Sequence, residues 1–120
     1  MGRIGEDAVC RWLEKAGYRI VCRNFCMRGG ELDIIAENGE YLAFVEVKTR
    51  RLGSMTDGFS AVTPRKQTLL IRTAAAYLYA HPTTLQPRFD IAAVTTVRGA
   101  VQEISYLDNA FDTTGQDIIF

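Results

Sequence analysis

The stretch that decides the fold is RGGELDIIAENGEYLAFVEVKTR, residues 28–50. Two strand-like runs, Glu31 to Glu37 and Glu40 to Thr49, flank Asn38-Gly39. Asn-Gly between apolar runs signals a hairpin, because a type I′ turn needs positive φ at both central residues. With Asn38 and Gly39 as the loop, Glu37 faces Glu40, Ile35 faces Leu42, Asp33 faces Phe44 and Glu31 faces Glu46. Side chains alternate with period 2, so Glu31, Asp33, Ile35, Leu42, Phe44, Glu46 and Lys48 share one face. Leu32, Ile34, Ala36, Tyr41, Ala43, Val45 and Val47 line the other, which is continuously apolar and must be buried. Since the charged face also carries Ile35, Leu42 and Phe44, the pair is expected at the centre of a sheet covered on both sides, charges at one end.

Upstream, Ile4, Ala8, Val9, Trp12, Leu13 and Ala16 recur at helical spacing, and Gly17 supplies a stop. Tyr18 to Phe25 alternates as a strand would, and Arg28-Gly29-Gly30 breaks it. Downstream of a polar loop, Thr63-Pro64 reads as N-cap and first helical residue. That helix should reach about Ala80, burying Leu70, Ala74, Tyr77 and Leu78. Phe89 to Val97 and Val101 to Leu107 are two more strands, joined near Arg98-Gly99. The tail from Asp108 to Phe120 receives no assignment; it can pack on the core or on a second subunit. The expected fold is α/β, one domain over residues 1–120, a mixed central sheet flanked by helices in the order α-β-β-β-α-β-β.

Composition narrows the class. The 120 residues carry 14 basic and 14 acidic side chains, are 48% hydrophobic and 23% charged, and hold no apolar run of membrane-spanning length. The start lacks a signal-peptide core, so no membrane association and a cytoplasmic location are expected. Charge is uneven: residues 1–72 hold 12 basic and 9 acidic residues, residues 73–120 hold 2 and 5. Lys48, Arg50, Arg51, Arg65, Lys66 and Arg72 form a run opposed only by Asp57, which suggests a phosphate-bearing partner beside the commoner reading of a mixed solvated surface. Cys10, Cys22 and Cys26 lack zinc-site spacing and read as inert thiols. His81, the one histidine, precedes Pro82 at a helix end and is a poor centre for nucleophilic catalysis.

In the derived register Asp33 and Glu46 are diagonal neighbours, roughly 7–8 Å apart by Cα, with Lys48 two residues beyond on the same face. Acids and an ammonium grouped at a strand end are costly to desolvate unless they serve one another or a cation. Two readings stand: a half-exposed salt-bridge cluster, or two carboxylates converging on a divalent ion. Oxygen-only ligands point to Mg²⁺ or Mn²⁺. An ion held there beside a lysine suits phosphodiester hydrolysis, with Lys48 positioning water or neutralising the phosphate. Arg50, Arg51, Arg65 and Lys66 follow the hairpin and could hold substrate phosphates, the latter two at a helix start whose free N–H groups favour anions.

Arg28-Gly29-Gly30-Glu31-Leu32-Asp33-Ile34-Ile35-Ala36, followed by Phe44-Val45-Glu46-Val47-Lys48-Thr49-Arg50, resembles the bipartite PD-(D/E)XK nuclease signature. More closely, the chain resembles the bacterial YraN-like family, related to archaeal Holliday-junction resolvases. Gly5-Glu6-Asp7-Ala8, Trp12-Leu13, Gly17-Tyr18, Arg23-Asn24, Lys66-Gln67, Arg88-Phe89-Asp90 and Asn109-Ala110-Phe111 extend the likeness over nearly the whole chain. The resemblance implies a restriction-endonuclease-like core with Lys48 as catalytic lysine and Asp33, Glu46, Val47 and Glu6 around a Mg²⁺ or Mn²⁺ ion. It adds Gln67 as an accessory polar residue and Arg28 to the nucleic-acid contacts. Leu32 stands where the signature's Pro would be. The implied activity is endonucleolytic cleavage of structured or branched DNA; the alternatives are a non-catalytic nucleic-acid-binding module and a scaffold whose acid–lysine cluster is structural. One site per 120-residue domain means that symmetric cutting of two strands calls for a homodimer.

Overall fold

A computed structural model describes residues 2–55 and 58–117; the apolar end Ile118-Ile119-Phe120 and the loop's Asp57 lie outside the described residues. Seven elements follow one another: α1 (Gly2–Lys15), β1 (Arg19–Met27), β2 (Gly30–Glu37), β3 (Tyr41–Arg51), α2 (Pro64–Ala80), β4 (Gln86–Val97) and β5 (Ala100–Phe111). The strands form one mixed sheet in sequence order, antiparallel except for the parallel pair β3 and β4. A parallel pair needs a crossover, and α2 supplies it. The element order is as the sequence implied; β1 and β4 are longer at their ends, and β5 absorbs part of the unassigned tail as far as Phe111.

Helices cover both faces. Against α2 pack Ile35, Leu42, Phe44, Phe89 and Ile91 together with Leu70, Ile71, Ala74 and Tyr77. Against α1 pack Ile34, Ala36, Ala43, Val45, Ala92 and Val94 together with Val9, Cys10 and Leu13. Thr63 caps α2 as expected, its hydroxyl accepting from the Lys66 N–H at 3.3 Å. The helix ends at His81, whose ring stacks on Tyr77 and contacts its carbonyl at 3.2 Å, so the lone histidine is a capping residue. Among the described residues no helix is long and apolar enough to cross a membrane.

The hairpin register departs from expectation by two. Ile35 pairs with Phe44 and Glu37 with Leu42, and Gly39 and Glu40 are the tip residues. Asn38 pairs with Tyr41 instead: its N–H donates to the Tyr41 carbonyl, and its side-chain oxygen accepts from the Glu40 and Tyr41 amides at 3.0 and 2.8 Å. That side-chain capture fixes the turn one residue later, and only Gly39 takes a positive φ. The doubly positive backbone expected here occurs at Arg98-Gly99, between the paired Val97 and Ala100. Because a one-residue displacement of the loop shifts pairing by two, the division into faces survives.

One exception is Leu32. It packs under α2, not beside Ile34 under α1. Alternation slips next to it, where Asn24 of β1 adopts φ 54° and where the β1–β2 pairing skips from Arg23–Ile34 to Phe25–Leu32.

A buried polar cluster fastens β4 to β5 and to the start of β1. Asp90, fully buried, accepts two hydrogen bonds from the Arg88 guanidinium at 2.9 and 2.8 Å, one from the Tyr106 hydroxyl, and one from the Asn109 amide at 2.9 Å. Arg88 also donates to the Tyr18 hydroxyl and lies 4.6 Å over the Tyr41 ring. Burial and the Asp90 charge hold the Tyr106 proton far above its ordinary range. Every lone pair of the carboxylate that the fold removes from water is thus repaired by the chain itself.

Candidate functional site

The acidic–basic cluster forms where β2 and β3 part. Their ladder ends at Ile34–Val45. Carried one residue further, that register sets Asp33 level with Glu46 rather than diagonal to it. Its Oδ2 accepts the Val47 N–H at 2.9 Å, a carboxylate oxygen taking the amide that a strand carbonyl would otherwise receive. Asp33 and Glu46 also hydrogen-bond to each other, and Glu46 is only 6% exposed. Burial first, and the Glu46 charge second, push the Asp33 carboxyl from 3.8 up to about 7, against the lowering effect of the Val47 amide. Ionising the second of two adjacent, buried carboxyls is unfavourable, so Asp33 holds its proton to higher pH than an ordinary carboxyl.

Two ammonium groups meet Glu46 Oε2: Lys48 Nζ at 3.3 Å and Lys66 Nζ at 3.4 Å. Lys48 is on β3, two residues along the same face. Lys66 comes from the first turn of α2, where the Thr63 cap fixes its backbone. The loop before α2 crosses this face at Gly58, which is buried at φ +80°; a Cβ there would lie 3.0 Å from Ala93 Cβ and 3.8 Å from Lys48 Cβ. Glycine suits both this positive φ and the close approach to Ala93, which a side chain would crowd.

The remaining expected residues divide. Glu6 sits in α1 beside Gly5, where an added Cβ would fall 2.4 Å from Thr49 Oγ1, so the missing side chain brings the helix onto β3. From there Glu6 raises Asp33 through its charge but pairs with Arg23 at 3.6 Å. Glu31, expected opposite Glu46, is exposed and receives a hydrogen bond from Cys26 Sγ at 3.1 Å, so the cluster has two carboxylates and two ammonium groups, not three and one. Gln67 donates its side-chain amide to the Val62 carbonyl at 3.1 Å and so ties down the entry to α2. Arg28, Arg51 and Arg65 are exposed, in the β1–β2 turn, at the end of β3 and in the first turn of α2. Arg50 is half-buried. Lys66, read from sequence only as a phosphate contact, belongs to the acid pair; its place three residues after Thr63 was the available signal. The Asp90 cluster was also missed, being assembled from four separate segments.

Among the described residues no three His, Cys, Asp or Glu side chains stand close enough to hold an ion unaided. The chemistry of the pair nonetheless suits a hard divalent cation: two adjacent carboxyls, that of Asp33 pushed up to about 7 by burial and by Glu46, next to the Val47 main chain. Mg²⁺ commonly takes one or two carboxylates and completes its shell with water and substrate phosphate.

The fold and site define a class, an α/β protein with a half-buried acid–lysine cluster at the parting of two central strands. The family model of the uncharacterised protein family UPF0102 matches residues 5–94. Similar proteins include a UPF0102 protein of Geobacter sulfurreducens, 42% identical over 93% of this chain and 88% of its own length. Another, from Chlorobium phaeobacteroides, is 42% identical over 94% of both chains. A third, from Chloroflexus aurantiacus, is 36% identical over 98% of this chain and 94% of its own. The chain belongs to the UPF0102 family.

Proposed function

We propose that the protein is a metal-dependent endonuclease with a restriction-endonuclease-like core, hydrolysing phosphodiester bonds in structured or branched DNA. The observation that carries this reading is the placement of Asp33 beside the buried Glu46 at the end of the central strands, with Lys48 and Lys66 on one Glu46 oxygen. Asp33, Glu46 and the Val47 carbonyl would hold Mg²⁺ or Mn²⁺, and Glu6 would act on Asp33 through its charge. Such an ion supplies charge to the phosphate and lowers the pKa of the attacking water.

The chain's own groups do the rest. The Val47 amide pins one Asp33 oxygen and so fixes the carboxyl beside Glu46. Lys48 donates to the attacking water or to the phosphoryl oxygen that gains charge. Lys66 faces the same centre from α2 and neutralises a second non-bridging oxygen. The water gives up a proton to solvent as its oxygen bonds to phosphorus, the bond to the leaving alcohol oxygen breaks, and that oxygen takes a proton from solvent, so one water is consumed. Junction, flap and single-stranded DNA in Mg²⁺ or Mn²⁺ test the reading. Wild type should cut at least one, and Asp33→Asn, Glu46→Gln and Lys48→Met should each lose at least about a hundredfold in rate. Equal cleavage by wild type and Asp33→Asn would overturn it.

One observation favours a second reading, a non-catalytic nucleic-acid-binding module. Two ammonium groups, Lys48 and Lys66, meet one Glu46 oxygen, and with the Asp33 carboxyl protonated they outweigh the Glu46 charge before any metal arrives. This reading requires DNA binding that falls with salt by about 0.9 in log–log slope per phosphate contacted and ignores Mg²⁺. Metal-dependent cleavage by wild type alone would dispose of it.

A further inference from the structure

Among the described residues, Arg50 Nε is the one buried side-chain nitrogen or oxygen without a hydrogen-bond partner. Leaving a buried donor unmade is costly, more so when it belongs to a charged group. The residue lies on β3 two positions beyond Lys48 and four beyond Glu46. The β3–β4 ladder runs unbroken from Glu46–Ile91 through Lys48–Ala93 and Arg50–Thr95, so alternation holds and Glu46, Lys48 and Arg50 share the face toward α2. Thr49 confirms the parity, since its hydroxyl meets Gly5 of α1 on the opposite side. An edge of a guanidinium is therefore turned into the protein on the same side as the acid pair, with no acceptor on Nε. Glu46, the nearest carboxylate along this row, is already engaged by two lysines.

We infer that Arg50 holds the DNA phosphate adjacent to the one over Asp33 and Glu46. Residues two apart on a strand are about 6.6–6.8 Å apart. That step is close to the spacing of successive phosphates along one nucleic-acid strand, so Lys48 and Arg50 match two neighbouring phosphates. With Nε packed inside and the residue half-buried, the guanidinium is held in place and its two terminal nitrogens offer parallel donors to one phosphate. Arg50 is thus a positioning residue, acting by setting which bond lies over the acids. The inference rests on the nuclease reading for the identity of the first phosphate, but the contact itself needs no turnover.

Its test separates the two. Binding of a branched DNA is measured against salt in EDTA for wild type, Arg50→Ala, Arg50→Lys and, for comparison, Arg65→Ala, with thermal melts to show that each variant folds. Arg50→Ala should lower the log–log salt slope by about 1. Arg50→Lys should keep the slope yet bind several-fold more weakly, since it retains the charge and loses the fork. In Mg²⁺ or Mn²⁺, a single uncharged methylphosphonate next to the cleaved bond should slow wild type at least tenfold and leave Arg50→Ala, already slow, unchanged. An unchanged slope in folded Arg50→Ala, or equal methylphosphonate sensitivity in it and wild type, overturns the inference. A lowered slope without any cleavage by wild type keeps the phosphate contact and removes the nuclease reading. Absence of DNA binding by wild type removes both.

Discussion

Replacing Asp33 by Asn should make the protein more stable, and increasingly so as pH rises. The Asp33 carboxyl titrates at 3.8 when unfolded and at about 7 when folded. A carboxyl raised on folding contributes fully to stability below about pH 4, and that contribution is lost as pH climbs to about 7. Asparagine imitates the protonated acid: one side-chain oxygen still accepts the Val47 N–H, and the amide donates to Glu46. The ceiling at high pH is about 4 kcal/mol, and water reaching a half-buried group halves it to about 2 kcal/mol. For a domain of this size that corresponds to a melting temperature higher by about 8 °C. The assay is thermal denaturation in EDTA at pH 5 and pH 8.5. A clear gain at pH 8.5 and a smaller one at pH 5 are expected. An equal gain at both values, or a loss at pH 8.5, would refute the claim that the two acids crowd one another.

Other perturbations follow from the same geometry. Asp90→Asn leaves the buried Arg88 guanidinium without its counter-charge and should destabilise by about 3–5 kcal/mol in urea unfolding. Gly30→Ala places a Cβ 2.0 Å from Thr73 Oγ1 and 3.2 Å from Thr73 Cβ, so rotation of the threonine cannot relieve it. A loss of about 1–3 kcal/mol is expected, recovered in large part by Thr73→Ala in the same chain. Mn²⁺ at a hundred times its dissociation constant should raise the stability of wild type by about 2.7 kcal/mol in melts at pH 8, with Asp33→Asn losing most of that response.

Much of this site was legible in the sequence, for a reason the hairpin makes plain. The Asn38 side chain captures the turn and moves its tip from Asn38-Gly39 to Gly39-Glu40. The resulting shift of two leaves every β3 residue on the face assigned to it, and it improves the opposition of Asp33 and Glu46. Parity is robust to loop errors in a way that register is not. The strand pattern failed at Leu32 because a left-handed Asn24 on the neighbouring strand interrupts alternation, which no periodicity reports. Lys66 was visible as a basic residue at a helix start, but not as a partner of Glu46, since that approach depends on how α2 crosses the sheet. Asp90 entered only as part of the strand Phe89 to Val97 and of the family likeness; its partners Arg88, Tyr106, Asn109 and, through Arg88, Tyr18 come together only once β5 is in place.

The most direct measurement of the central claim is calorimetric titration of Mn²⁺ into the wild-type protein and into Asp33→Asn and Glu46→Gln, at pH 8 without DNA. One ion per chain should bind to wild type with release of protons, more weakly as pH falls below about 7, and neither variant should retain the site. Absence of binding to wild type, or the same isotherm for all three proteins, would contradict the assignment of Asp33 and Glu46 as the pair that holds the ion.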